Sequence, residues 1–378
     1  MPTDQFIVGF KEKANASAAD RNASYGRVSK KLGIGVKEVR ATAGGSRVLR
    51  ADRALTSAEV ERAVETLQSD ANIESAEPDA RMFPLADPND PFYPLQWHLW
   101  EETAGIRLPA AWPVSKGAGT VVAVVDTGIT DHSDLNPNVL PGYDMISVAS
   151  VARDSDGRDA NPRDEGDWTS DGQCGAGTTG DPSSWHGTHV AGTVAAVANN
   201  GKGVTGVAPE AKLLPVRALG ACGGYTSDIT DSIIWAAGGT VSGVPANRNR
   251  ARVINLSLGG IVPCSATYQN AIDFAYKAGA AVVVAAGNSD RPAADSSPAN
   301  CKNVITVAAS SRSGSRAPYS NYGDAVDVTA PGGEMSQSAE NGIASTLNSG
   351  SYGPATENYA YSQGTSMAAP TYPGWQHS

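Results

Sequence analysis

The sequence predicts a doubly wound α/β body with a mostly parallel sheet, preceded by a small α+β domain. Three observations carry this reading. Short β-branched runs alternate with helical stretches from about residue 120 onward, the first 84 residues follow a different order of strands and helices, and a proline-rich stretch separates the two. A chain of 378 residues exceeds the usual single domain, and a hydrophobic fraction of 40% is enough to build a core in each part.

In the N-terminal part, Phe6 to Phe10 reads as a strand and Ala14 to Lys31 as an alanine-rich helix. Gly33 to Thr42 and Ser46 to Ala51 read as two further strands. Thr56-Ser-Ala-Glu59 matches a capping box, in which each side chain satisfies the other residue's backbone N–H, and opens a helix running to about Ser69. Ile73 to Phe83 is the last strand. The order βαββαβ over residues 1–84 is the split ferredoxin-like pattern. Pro84, Pro88, Pro91 and Pro94, with Asp87-Pro-Asn-Asp90, make residues 85–95 an extended and cleavable linker.

Residues 96–378 form the larger body. Val121 to Val125, Leu213 to Arg217, Val253 to Ser257, Ala281 to Ala285 and Val304 to Ala308 are short apolar runs of the kind found in parallel strands buried on both faces. Helical stretches fall at His186 to Ala198, Tyr225 to Ala237 and Ala266 to Ala278. In such a sheet, ligands bind beyond the carboxyl ends of the strands. Asp126 and Asn288 follow apolar runs directly, and His186 and Ser366 open helices, so all four are expected on that edge.

Charge narrows the partners. Residues 1–84 carry 13 Lys/Arg against 12 Asp/Glu, whereas the rest carries 16 against 27, so the acidity belongs to the larger body. No basic stripe suggests a nucleic acid, and no run of about 18 apolar residues suggests a membrane span. A monomer acting on polypeptide is expected. The four cysteines, Cys174, Cys222, Cys264 and Cys301, show no Cys-x-x-Cys spacing for zinc, and an even count favours two disulfides in any of three connectivities.

The chemistry lies in three glycine-flanked blocks, Val-Val-Asp126-Thr-Gly-Ile, His186-Gly-Thr-His-Val-Ala-Gly-Thr and Gly364-Thr-Ser366-Met-Ala-Ala-Pro. A hydroxyl is a poor nucleophile at neutral pH. It needs an imidazole to take its proton and a buried carboxylate to orient that imidazole. A fourth block, Ala285-Ala-Gly-Asn288, offers an amide for an oxyanion hole. His189, three residues after His186, has no acidic partner for a zinc motif, and His132 reads as a surface or loop residue.

These four blocks and the chain order Asp, His, Ser resemble the subtilisin-like serine proteases (subtilases) over roughly residues 90 to 370. The resemblance implies a secreted bacterial endopeptidase. Residues 1–84 would be its intramolecular chaperone and inhibitor, with Met82, Phe83 and Leu85 in substrate subsites. Ser257, Leu258 and Gly259 would pair with an extended substrate and wall its primary pocket. Similarity to relatives with Cys-Gly-Gly-Tyr and Ser-Pro-Ala-Asn-Cys segments implies the pairs Cys174–Cys222 and Cys264–Cys301. The resemblance also implies calcium held by Gln96, Asp134 and the loop of Asn200, where Lys202 opposes it. A second calcium site is expected in the acidic stretch 154–167, through Asp159, Asp164 and Asp167.

Two departures accompany the resemblance. No charged n-region and apolar h-region precede the first strand, so either a signal peptide is omitted from this sequence or its start is misassigned. After Pro370 a buried helix His-Val-Ser-Gly-Val-Ala-Ala-Leu is expected, but residues 371–378 read Thr-Tyr-Pro-Gly-Trp-Gln-His-Ser. Deleting the first base of CAC GTA TCC GGG GTG GCA GCA CTC converts the expected run into the one present. A one-base frameshift near Pro370 is therefore expected, with a weakly active or inactive product. The alternative function is then that of a pseudoprotease whose N-terminal domain acts as inhibitor or folding chaperone.

Overall fold

The computed structural model describes residues 3–12, 17–80 and 87–372. The chain divides into two compact units, Met1–Pro84 and Leu85–Ser378.

The first unit runs β1 (Gln5–Phe10), α1 (Ala18–Leu32), β2 (Val36–Ala41), β3 (Arg47–Ala51), α2 (Ser57–Gln68) and β4 (Ile73–Pro78). Its strands form an antiparallel sheet in the order β2-β3-β1-β4. Helix α1 begins at the Ser17 cap, whose hydroxyl accepts from Ala19 and Asp20 N–H, and ends at Gly33 in the left-handed region (φ 67°). Helix α2 carries the expected capping box: Thr56 N–H donates to Glu59 Oε2 at 2.9 Å, and Glu59 N–H to Thr56 Oγ1 at 3.4 Å. Phe6, Val8, Tyr25, Leu49, Val60 and Leu67 form the core beneath the sheet. Met82, Phe83 and Leu85 lie outside the described residues.

The second unit opens with the short helix α3 (Trp97–Trp100) and is built on β5 (Val121–Asp126), β6 (Tyr143–Asp144), β7 (Lys212–Arg217), β8 (Val253–Leu256), β9 (Ala281–Ala285), β10 (Ile305–Ser310) and β11 (Val328–Pro331). These seven strands are parallel, in the order β11-β10-β9-β8-β5-β7-β6. From β5 the chain crosses to the edge strand β6, returns to β7 between β6 and β5, and then builds the other side outward through β8 to β11. The reversal between β5 and β8 opens a crevice at their carboxyl ends, the place where such sheets bind ligands.

Helices α4 (Ala149–Ala152), α5 (His186–Ala195), α6 (Thr226–Ala236), α7 (Ala266–Lys277) and α8 (Thr365–Thr371) surround the sheet. A hairpin of β12 (Ile343–Asn348) and β13 (Glu357–Ser362) completes it. Alternate residues of β5 serve opposite cores. Val122 and Val124 pack with Val190 and Val194 of α5 and Met367 of α8. Ala123 and Val125 pack with Ile229 and Ile233 of α6 and Ile272 of α7. Both faces are therefore covered, which explains why the strands read as unbroken apolar runs. The disulfides are Cys174–Cys222 and Cys264–Cys301, and no described cysteine is free.

Two buried histidines make this core sensitive to acid. Neither ring nitrogen of His98 has a bonding partner among the described residues, and the same holds for Nδ1 of His189. Burial, with His189 nearby, pushes His98 down to about 3, and burial, with His186 nearby, pushes His189 down to about 4. An unfolded histidine titrates near 6.5, so as pH falls the unfolded chain takes up these protons first. The stabilisation is fully present above about pH 6.5 and is lost as pH falls toward 4. Thermal midpoints recorded from pH 7.5 to 4 are expected to drop across that window, and less steeply in His98→Asn. Equal slopes in parent and variant would contradict this account.

Candidate active site

Asp126 is the last residue of β5 and is fully buried. Its Oδ1 accepts from Thr127 N–H at 2.8 Å and from His186 Nδ1 at 2.7 Å. A carboxylate has no proton to give, so the Nδ1 of His186 carries the hydrogen and Nε2 keeps its lone pair. That is the tautomer a general base requires.

His186 opens α5 directly after Trp185, whose left-handed backbone (φ 52°) turns the chain into the helix. Trp185 is itself anchored in the interior, and its indole N–H donates to Gly350 O at 2.6 Å. Gly187 has no substitute here, since a Cβ would stand 2.1 Å from Gly128 O. Only glycine lets the first turn of α5 come this close to the loop after β5.

Ser366 is the second residue of α8. Its Oγ donates to Ser257 O at 3.1 Å, and Ser257 Oγ donates to Ser366 O at 2.7 Å. The hydroxyl thus rests on the segment after β8 and not on His186. Asn288 follows β9, and its Oδ1 accepts from both the N–H and the hydroxyl of Thr365, each at 2.8 Å. Thr365 Oγ1 in turn accepts from Gly287 N–H at 3.0 Å. With the oxygen committed, the amide nitrogen lies toward Gly364, where a Cβ would approach it to 3.3 Å.

Two adjoining cavities connect these groups. A groove of about 900 Å³ is lined by His186, and a pocket of about 260 Å³ is lined by Ser366 and Asn288. Ser257, Leu258, Gly259 and Gly260 form the wall they share. No charged side chain lines the smaller pocket. The disulfide Cys174–Cys222 joins the opposite wall of the groove.

The electrostatics raise the basicity of the imidazole. Burial pulls His186 down, but the adjacent Asp126 carboxylate, with Asp167 and Asp164 behind it, outweighs that and holds it above its ordinary value. Asp164 is 1% exposed, and burial pushes it up to about 7 against the bonds from Thr127 and Gly166.

The remaining candidates fall elsewhere. His189 does not face a metal; its Nε2 bonds to the carbonyls of Ile343 and Ala360 at 3.0 and 3.2 Å, fastening α5 to the β12–β13 hairpin. His132, expected to be a surface or loop residue, lies in a loop but is fully buried against Tyr359, with Nε2 2.9 Å from Asn358 O.

In this arrangement the calcium candidates are turned to protein donors. Gln96 Oε1 accepts from Thr205 N–H at 2.9 Å. Asp134 Oδ1 accepts from the Asn200 amide at 2.6 Å, and Oδ2 from Val204 N–H and the Tyr359 hydroxyl at 3.0 and 3.3 Å. Asn200 Oδ1 accepts from Lys202 N–H. In the acidic stretch, Asp159 turns to Asn161 N–H, Asp164 to Thr127 and Asp167 to Ser184. Protein donors already engage these oxygens, and no group of three or more His, Cys, Asp or Glu among the described residues could hold a metal ion.

Residues 117–372 match the family model for the subtilase family (peptidase S8). The chain belongs to the subtilase family. This subtilase is 50% identical over 379 residues to an extracellular protease of Xanthomonas campestris pv. campestris, covering 98% of this chain and 64% of that protein. It is 45% identical over 381 residues to an extracellular basic protease of Dichelobacter nodosus, covering 98% and 61%. The chain thus spans just over three fifths of the length of these relatives. Among solved structures, a protease of Pseudoalteromonas arctica PAMC 21717 matches with a TM-score of 0.75 and 57% identity, over 76% of this chain and 84% of that one. The fold is therefore subtilisin-like. No helix among the described residues is long and apolar enough to cross a membrane.

Sequence reading missed Thr127, whose N–H bonds Asp126 and whose hydroxyl bonds Asp164 and Gly187, and Thr365, whose N–H and hydroxyl orient Asn288. Both were in view as neighbours of motif residues, and the adjacency of Thr127 to Asp126 was the available signal. Thr365→Val, which removes the hydroxyl shared by Asn288 and Gly287, is expected to lower the thermal midpoint by ~2–8 °C through roughly 1–2 kcal/mol of lost hydrogen bonding. Differential scanning calorimetry checks it, and an unchanged midpoint would count against the clamp.

Proposed function

We propose that this subtilase is a secreted serine endopeptidase made as a self-inhibited precursor. The observation that carries the reading is the 2.7 Å bond from His186 to the buried Asp126, with Ser366 and Asn288 opening on the same cavity wall. An extended polypeptide lies along Ser257–Gly260, pairing with backbone and placing an uncharged side chain in the smaller pocket.

In the reaction, the Ser366 hydroxyl turns from Ser257 O toward His186, which takes its proton as Oγ attacks the scissile carbonyl. The oxyanion is met by the Asn288 amide and the Ser366 N–H, at the positive end of α8. His186 then returns the proton to the leaving amine, and water releases the acyl group from Ser366. Asp126 stays ionised and stabilises the imidazolium. Residues 1–84, a folded unit with its own core, serve as intramolecular chaperone and inhibitor until the segment after them is cut.

With the helix expected after Pro370 replaced by another sequence, a fluorophosphonate probe is expected to label Ser366 slowly and casein to be hydrolysed at a low rate, both being lost in Ser366→Ala; an unlabelled parent protein would sink the reading. Asn288→Ala is expected to lower kcat about 100- to 1000-fold with little change in KM, a range taken from subtilisin itself. His186 must be neutral to act as base, and its value is raised, so kcat/KM should fall with acid through a midpoint above 6.5. A midpoint below 6.5 in a pH–rate profile would mean that Asp126 does not govern the imidazole.

A further inference from the structure

Thr127 is gripped by four groups. Its N–H donates to Asp126 Oδ1 at 2.8 Å, and its carbonyl accepts from Arg217 Nε at 3.3 Å. Its hydroxyl donates to Asp164 Oδ2 at 2.6 Å and accepts from Gly187 N–H at 3.0 Å. Thr127 is 3% exposed, and Asp164 and Arg217 are 1% exposed each. Such a set of buried polar groups holds one geometry because each alternative leaves a donor or acceptor unpaired.

The direction of the hydroxyl matters. It has one hydrogen, and the Gly187 N–H can only donate, so the oxygen accepts from Gly187 and its own hydrogen goes to Asp164 Oδ2. Gly187 is the residue after His186. The hydroxyl therefore ties the strand end that carries Asp126 to the helix start that carries His186, and Asp164 sets its orientation. Asp164 is itself fixed, since its Oδ1 accepts from Gly166 N–H at 2.9 Å. From the other side Arg217, held by Asp144 at 2.6 Å and Asp154 at 3.0 Å, keeps the Thr127 carbonyl in place. The register of the sheet puts Arg217 beside Asp126 on adjacent strands.

We propose that Asp164, acting through the Thr127 hydroxyl, is a positioning residue for the Asp126–His186 pair, with Arg217 holding the same hinge at the carbonyl. The proposal rests on the serine-peptidase reading of this site. Asp164 takes no part in proton transfer. It keeps the imidazole at the angle from which Nε2 can meet the nucleophile, and misplacement of a reacting group by about 1 Å can cost on the order of 100-fold.

The test is Asp164→Asn beside Thr127→Val and Thr127→Ser in the full chain, with kinetics on a chromogenic peptide, thermal melting and NMR titration of the histidine imidazoles. Asp164→Asn and Thr127→Val are expected to lower kcat about 10- to 100-fold with KM changed less than about twofold. Asp164→Asn should also lower the His186 titration midpoint, because the Asp164 carboxylate is one of the groups that raise it, and should move its downfield Nδ1 proton. Thr127→Ser, which keeps the hydroxyl, should lie closer to the parent than Thr127→Val in both readouts. Variants that melt earlier while kcat and the His186 resonances stay as in the parent would overturn the proposal and leave Asp164 a structural residue. A parent that fails to label with fluorophosphonate defeats the peptidase reading instead, and the His186 resonances of parent and variants then decide the positioning role alone.

Discussion

The bond between Asp126 and His186 is the constraint on which the rest of the site depends. A carboxylate with no exposure to water is costly unless a donor or cation meets it. Here the donors are the adjacent N–H and an imidazole sixty residues further along the chain. The sheet makes the meeting possible. β5 ends at the point where strand order reverses, so its last residue, beside Arg217 of β7 on one side, has no strand partner on the β8 side and borders the crevice there. Helix α5 starts at that crevice and then runs back over an apolar face through Val190 and Val194.

Around that bond the protein concentrates negative charge to a degree unusual for an interior. Asp126, Asp144 and Asp164 are all buried, and the guanidinium of Arg217 is the cation that reaches among them. Arg217 bonds to Asp144 and Asp154 and to the carbonyls of Thr127 and Ala152. Removing one member of such a network leaves a buried charge uncompensated, which costs about 3–5 kcal/mol. The same charge that strains the interior raises the basicity of His186. Stability and site chemistry therefore share one set of residues at the ends of β5, β6 and β7.

The oxyanion side is built differently, from neutral groups. Asn288 is oriented by two donors from Thr365, and Ser366 and Ser257 exchange bonds between side chain and backbone. A neutral clamp suits the oxyanion role proposed for Asn288, because it presents a fixed dipole without a permanent counter-charge to neutralise it. The two halves of the site meet along Ser257–Gly260, whose backbone is open to an extended chain.

Much of this was legible in the linear sequence. The five apolar runs became β5, β7, β8, β9 and β10, and the three helical stretches became α5, α6 and α7, because burial on both faces of a sheet leaves a strong apolar signal. The edge strand β6, with two residues, and the hairpin of β12 and β13, with polar and small residues, left no such signal. In the acidic stretch, Asp159, Asp164 and Asp167 are near in sequence but turn to three different partners, a divergence that their spacing does not show. By itself the sequence determined which residue types could perform acyl transfer and which segments would be buried, since chemistry and hydrophobic pattern are local properties. Only the tertiary structure decided that Thr127, Asp164 and Arg217 stand behind Asp126, because a hydrogen bond is made by direction and distance in space, which the order of residues along a chain does not contain.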